Sequence, residues 1–385
     1  MRKMIAIATT ALAAAVAGAV FTNAADGGAI GTDSTAVSCK TQATIGYFGP
    51  NTGPAASIGE ELRNWTVFYA RQWNRRGKLP KINIVEGDTQ FDPKEVATIA
   101  QQFVTNRNLL AVLGPGASQE VLAARPILKR AGMPYIAATA TRTTLTDGSN
   151  PTFFRIAAPD RVQAQSTSSY MIKRLKVKSV FVVDDQSSYS APLADEVSRL
   201  LKRAGVKVSR TSITQKQFDF SSVITDIPSG TNVVYLPIQL PSQMQLFGQQ
   251  LREQGKRITI FSSDAGYSPD FKIVGSYFST FGPDVRTFPA ARATVAGYFA
   301  EFGKKAPLST FGPMGYITGI VVVEAVARAC RDGKATRAEV LREMRKTNLR
   351  TSIIGQPIRF TKRGDRVGAQ FFTFQITKNG PRTVR

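Results

Sequence analysis

The sequence predicts an α/β protein built as two doubly wound parallel-sheet lobes. Two observations carry that expectation. Apolar strand patterns alternate with helical patterns, and the alternation runs once from Thr44 to Ala137 and restarts near Asp160. A chain of 385 residues also suits two domains, at ~150 residues each.

Thr44–Phe48 reads as the first strand. Ser57-Ile58-Gly59-Glu60 has capping-box spacing ahead of a helix that reaches Arg76, and Ile82–Glu86 is the next strand. Asp92-Pro93-Lys94-Glu95 joins an N-cap, a Pro at the first helical position and a Glu three residues after the Asp. The apolar strand Leu109–Leu113 runs into Gly114-Pro115-Gly116-Ala117-Ser118, and Pro134–Ala137 runs into Ala138-Thr139-Ala140-Thr141. Between them Val121, Leu122, Ile127, Leu128 and Ala131 keep a helical spacing that stops at Gly132. The second round has a helix to Leu175, strand Ser179–Val183, helix Ala191–Ala204 and strand Val206–Ile213. A short helix Ser221–Ile227, strand Asn232–Leu236, a helix after Pro241 and strand Ile258–Phe261 complete it. Helices at 290–303, 312–331 and 337–346 follow, the last opened by Thr336-Arg337-Ala338-Glu339 as a capping box. Pro357–Phe360 and Ala369–Thr377 read as strands that close an edge.

In a strand–helix–strand unit the two hydroxyl-bearing loops open at the carboxyl edge of a parallel sheet, where ligands of open α/β sheets bind. Ser118 falls at a helix N-terminus, where free N–H groups and the helix dipole favour an anion. That is the arrangement of a carboxylate receptor; the alternative is a pair of ordinary hydroxyl-rich turns.

Arg2 and Lys3 precede an apolar, Ala-rich run to Phe21 and a small-x-small site at Thr22-Asn23-Ala24, the pattern of a secretory signal peptide over 1–24. Residues 25–42 read as a flexible leader. The two cysteines, Cys39 and Cys330, suggest one disulfide in an exported chain, with a free buried Cys330 as the alternative. A formal net charge of +23 invites nucleic acid, but the cations are scattered along helices and match no nucleic-acid motif, so a solvated surface is the reading. The absence of histidine removes Ser-His-Asp and Cys-His catalysis and, with two cysteines, the usual zinc sites. No P-loop, nucleophile elbow or dinucleotide fingerprint stands in the chain, so neither an enzyme, a cofactor nor a metal is expected. Adjacent Asp184 and Asp185 point to opposite faces of a strand, which argues against paired carboxylates. Glu60 and Glu61 read as solvated residues at a helix start.

Taken in order, several short marks resemble type I periplasmic solute-binding proteins of the branched-chain amino-acid class, the capture components of ABC importers. They are Ile45-Gly46-Tyr47, Thr52-Gly53-Pro54 and Gly59; Asp88 to Pro93; Gly114 to Ser118; and Ala138–Thr141. Asp184 to Ser190, Phe218-Asp219-Phe220-Ser221 and Ser262-Ser263-Asp264 continue the series, and the resemblance covers the chain from about residue 43. It implies two lobes that close over a ligand and are joined by three crossings, near 158, 283 and 357. Lobe 1 is then 43–158 plus 284–357, and lobe 2 is 159–283 plus 358–385. The resemblance also implies roles: Ser118 donating to a ligand carboxylate, Thr141 binding carboxylate or ammonium, and the Thr139 carbonyl accepting from the ammonium. Tyr189 would close over the ligand from the second lobe, and Asp264 would face the ammonium. Family aromatics are replaced by Gln239 and Ile58, which leaves leucine-like specificity open and lets Gln239 serve a polar side chain. The implied partners are a small amino acid or related carboxylate and a membrane permease, with the protein acting as a monomer. A ligand sensor on the same lobes, or a binder of aromatic acids or amides, are the alternatives.

Overall fold

The computed structural model describes residues 35–384, so the expected signal peptide and the first part of the leader lie outside the described residues. In chain order, β1 (Val37–Ser38), β2 (Gln42–Gly49), α1 (Ala56–Arg75), β3 (Lys81–Asp88) and α2 (Pro93–Thr105) come first. They are followed by β4 (Leu109–Leu113), α3 (Ser118–Arg130), β5 (Tyr135–Ala137) and β6 (Phe153–Arg155). The second round is α4 (Asp160–Lys173), β7 (Ser179–Asp184), α5 (Ser190–Arg203), β8 (Lys207–Ser212) and α6 (Ser221–Thr225). It continues with β9 (Val233–Leu236), α7 (Pro241–Glu253), β10 (Thr259–Ser262) and β11 (Tyr277–Thr280). Last come α8 (Arg292–Phe302), α9 (Phe311–Ala329), β12 (Lys334–Ala335), α10 (Arg337–Arg345), β13 (Phe372–Thr377) and β14 (Gly380–Val384).

One sheet has the order β3-β2-β4-β5-β6 and is parallel throughout. The other has the order β14-β13-β11-β10-β9-β7-β8; it is parallel from β8 to β11 and ends in two antiparallel strands. Both sheets reverse direction beside their first strand, at β2 and at β7. Such a switch point leaves a crevice at the carboxyl ends of the strands. The two-lobe α/β architecture read from the sequence is therefore present.

The first lobe is held by α1 packed on α9. A Cβ at Gly312 would lie 2.2 Å from the Trp65 ring, so glycine there lets the helices approach, and Trp65 stacks on Tyr298 at 4.0 Å. By length and composition α9 is apolar enough to cross a membrane, yet it lies largely buried as the core helix of this lobe. Glu61 is buried, not solvated as its position at a helix start suggested. Its carboxylate accepts from Ser309 N and Oγ, both at 2.7 Å, and from Gly312 N at 2.8 Å, holding the start of α9. Burial pushes its pKa up, against those hydrogen bonds.

Local signals succeeded where side chain and backbone agree. The Asp92 carboxylate accepts from Lys94 N at 2.8 Å, and Thr336 with Glu339 forms the expected reciprocal box. The capping box at 57–60 does not form. Ile58 N and Gly59 N already reach back to Ala55 O, so α1 starts earlier and Ser57 falls inside its first turn.

Two further expectations change. The end of the leader is not loose, because Val37–Ser38 pairs with Lys334–Ala335 and Cys39 is bonded to Cys330. Pro357–Phe360 is no edge strand: Ile358 bridges Leu349 and Phe360 bridges Arg366 within the first lobe. Arg155 is fully buried at the end of β6, and its Nε donates to Asp365 Oδ1 at 2.7 Å. A buried cation needs its counter-charge, so 358–371 stays with lobe 1 and the chain enters β13 only at Phe372, not near 357.

A cleft between the two switch points

From the first lobe, the loop after β4 brings Gly116, Ala117 and Ser118 to the cleft, and the loop after β5 brings Thr139 and Thr141. Ser118 is the first residue of α3, with Ala117 at the N-cap. Its Oγ accepts from Arg142 N at 3.2 Å, which orients the oxygen and leaves the hydroxyl proton available to a ligand. The Thr139 hydroxyl donates to Gly116 O at 2.9 Å and ties the two loops together. The Thr139 carbonyl receives no hydrogen bond among the described residues. In the first turn of α3, buried Glu120 accepts from Ala117 N at 3.0 Å and from the Thr89 hydroxyl, bracing the turn. Burial pushes Glu120 up to about 7, tempered by those donors.

From the second lobe come Tyr189 at the start of α5, Gln239 after β9, and Asp264 after β10. The Tyr189 hydroxyl donates to Asp264 Oδ1 at 3.0 Å, and Ala265 N donates to the same oxygen at 2.9 Å. The Gln239 amide is engaged by Gln119 and Gln215. Asp184 and Asp185 are structural. Asp184 holds Arg210 and Ser212, each at 2.8 Å, and Asp185 holds Ser187 N at 3.0 Å and Gln239 N at 2.8 Å.

All six cleft residues named from the sequence, Ser118, Thr139, Thr141, Tyr189, Gln239 and Asp264, therefore line one space between the lobes. It encloses about 510 Å³ including its open mouth. Three features were missed. Phe91 and Phe311 line the cleft with Ile58, Leu62, Pro50 and Ala55 as an apolar wall. Phe91 arrives through two residues of positive φ, 50° at Gln90 and 64° at Phe91. Asp88 steadies that loop by accepting from Thr52 N at 3.1 Å, Thr52 Oγ1 at 2.5 Å and Gln90 N at 3.0 Å. The Asp88–Pro93 run marked the loop, but nothing in it told which side chain turns inward.

The third missed feature is Asp160, the first residue of α4, whose backbone N donates to Thr141 O at 2.7 Å. It is buried, and neither its carboxylate oxygens nor the Thr141 hydroxyl makes a well-formed hydrogen bond among the described residues. Burial pushes Asp160 up to about 7; the neighbouring Thr141 hydroxyl lowers it, Asp264 raises it further, and Arg155 and Arg142 oppose the rise. Burial likewise pushes Asp264 up to about 7, against the bonds from Tyr189 and Ala265. Tyr189 is pushed well above its ordinary value by burial and by Asp264. The cleft thus offers hydroxyl donors, a helix N-terminus, a bare carbonyl and the buried Asp264 carboxylate, with Asp160 beside Thr141 outside the lining.

The family profile described as "Periplasmic binding protein" matches residues 42–381. An "Amino acid binding protein" of Pseudomonas aeruginosa is 27% identical over 348 residues, covering 87% of this chain and 90% of that protein. A Leu/Ile/Val-binding protein of Rhizobium johnstonii is 27% identical over 315 residues, covering 76% and 84%. Among solved structures, a branched-chain amino acid transporter substrate-binding protein of Streptococcus pneumoniae, in complex with isoleucine, shares the fold. It has a TM-score of 0.79 at 21% identity, covering 89% of this chain and 99% of that one.

Proposed function

The chain belongs to the periplasmic binding protein family, and we propose that it captures a free α-amino acid with an apolar side chain between its lobes. It would work outside the cytoplasm and deliver the amino acid to a membrane ABC permease, binding without turnover. One observation carries the reading. Groups suited to a carboxylate and groups suited to an ammonium converge on one cleft, as a zwitterion requires. The Ser118 and Thr141 hydroxyls and the start of α3 would hold the carboxylate. The Thr139 carbonyl and Asp264 would hold the ammonium, and the wall of Ile58, Leu62, Phe91 and Phe311 would receive the side chain. Hydrogen bonds to charged groups contribute about 1.5–3 kcal/mol each, so a ligand held at both ends reaches micromolar affinity with a few of them. The names of the relatives support the same class of ligand.

The test is calorimetry with leucine, isoleucine and valine beside two truncated analogues. 4-Methylpentanoate keeps the carboxylate and side chain, and 3-methylbutylamine keeps the ammonium. The expected outcome is micromolar binding of at least one amino acid, with both analogues weaker by tenfold or more. Equal binding of the pentanoate would remove the ammonium half and point to plain carboxylates or aromatic acids.

A further inference from the structure

We propose that Gln119 and Gln239 form an uncharged clasp across the cleft mouth that sets how long the closed lobes hold their cargo. This rests on the amino-acid reading of the cleft. Gln119 Nε2 donates to Gln239 Oε1 at 2.9 Å and Gln239 Nε2 donates back to Gln119 Oε1 at 3.1 Å, a reciprocal amide pair between the lobes. Each half is anchored in its own lobe. Gln119 follows Ser118 on α3, so the element that would meet the carboxylate also carries the first half of the clasp. Gln239 is fixed at its backbone, where its N donates to buried Asp185 at 2.8 Å, and at its amide oxygen, which also accepts from Gln215 Nε2 at 2.9 Å. Gln215 in turn donates to Asp185 at 3.3 Å.

Opening the lobes breaks both amide bonds, whereas a ligand entering an open cleft meets neither. The clasp therefore acts on release and not on capture. Being neutral, it is insensitive to salt, which suits a chain whose net charge of +23 would make ion-paired closure depend on ionic strength. The pair and Gln215 together engage both polar atoms of the Gln239 amide, which leaves it less free for a polar ligand side chain.

The experiment is stopped-flow or filter-binding kinetics with radiolabelled leucine on wild type, Gln119→Met, Gln239→Met and the double variant. Methionine keeps the length and removes the amide, and the Gln119 side chain itself stands outside the cleft lining. Each single change is expected to speed release about tenfold, the loss of one or two neutral hydrogen bonds, and Gln119→Met, outside the cleft lining, should keep association within about twofold. The double variant should release no faster than the quicker single, because both changes break the same pair. The ratios should hold between about 0.05 and 0.5 M NaCl. Multiplicative effects in the double variant, or unchanged release with altered association, would overturn the clasp. Wild type that binds neither leucine nor any other amino acid would overturn the cargo reading alone. The clasp is then read by small-angle X-ray scattering: a double variant more extended than wild type supports it, and an unchanged radius of gyration overturns it.

Discussion

Asp264→Asn should have opposite effects on the empty and the loaded protein, and both follow from burial. Asp264 and Asp160 ionise near pH 7 in the folded protein against an ordinary value of 3.8. The folded chain therefore holds more protons than the unfolded chain between about pH 4 and 7, and the empty protein loses stability as pH rises through that window. A shift of that size corresponds to on the order of 4 kcal/mol for an isolated group, an upper figure for a coupled pair. Asparagine keeps an oxygen for Tyr189 and Ala265 but carries no charge to bury. In calorimetry at pH 8 the empty variant should melt several degrees above wild type, and at pH 5, where wild-type Asp264 is already protonated, the two should nearly coincide. Leucine binding should move the other way. The lost charge-assisted bond is worth about 1.5–3 kcal/mol, so affinity at pH 8 falls about ten- to hundredfold. Wild-type affinity should itself weaken up to about tenfold per unit below pH 7, since the ammonium needs the ionised carboxylate. A variant that binds leucine as tightly as wild type at pH 8, or is equally destabilised at pH 5 and 8, would refute the reasoning.

Three other changes separate site from scaffold. Ser118→Ala removes the hydroxyl proposed to meet the carboxylate, and calorimetry should show leucine affinity reduced about tenfold or more. Replacing Cys39 and Cys330 by serine opens a link between residues 291 apart and should cost about 2–5 kcal/mol in urea unfolding, leaving leucine affinity unchanged. Arg155→Met leaves the largely buried Asp365 with only the exposed Arg161 at 3.6 Å as a cation and should cost about 3 kcal/mol by the same assay, much of it recovered in Arg155→Met/Asp365→Leu.

What was legible in the sequence follows the range of the signal. β4 and β5 are apolar runs closed by small and hydroxyl residues, so both their strand character and their cleft-side loops could be read from adjacent positions. Asp92 and Thr336 announced their helices because a cap acts within three residues. Glu61 was misread for the opposite reason: its partners, Ser309 and Gly312, lie some 250 residues away, and nothing local separates a helix-capping glutamate from a solvated one. The third crossing was misplaced because residues 358–371 owe their lobe to the Arg155–Asp365 pair, a contact with no periodicity to reveal it. Phe91 escaped because its direction depends on two positive φ angles in non-glycine residues, which sequence patterns do not encode.

The division of the cleft between the lobes bears on why a zwitterion would close it. Ser118, Thr139 and Thr141 follow strands of the first sheet, and Tyr189 and Asp264 follow strands of the second. A ligand shifts an opening equilibrium only by the difference in its affinity for the two states. On the proposed roles, carboxylate bonds to Ser118 and Thr141 would be available in either state and would bring no such difference. Bonds from the ammonium to Asp264 would form only when the second lobe arrives, and they would also relieve the cost of ionising a buried carboxylate. An acid without an ammonium would therefore occupy the first lobe and leave the lobes apart. Closure would report the ammonium end of the ligand, and the clasp at Gln119 and Gln239 would engage only after that end had been recognised.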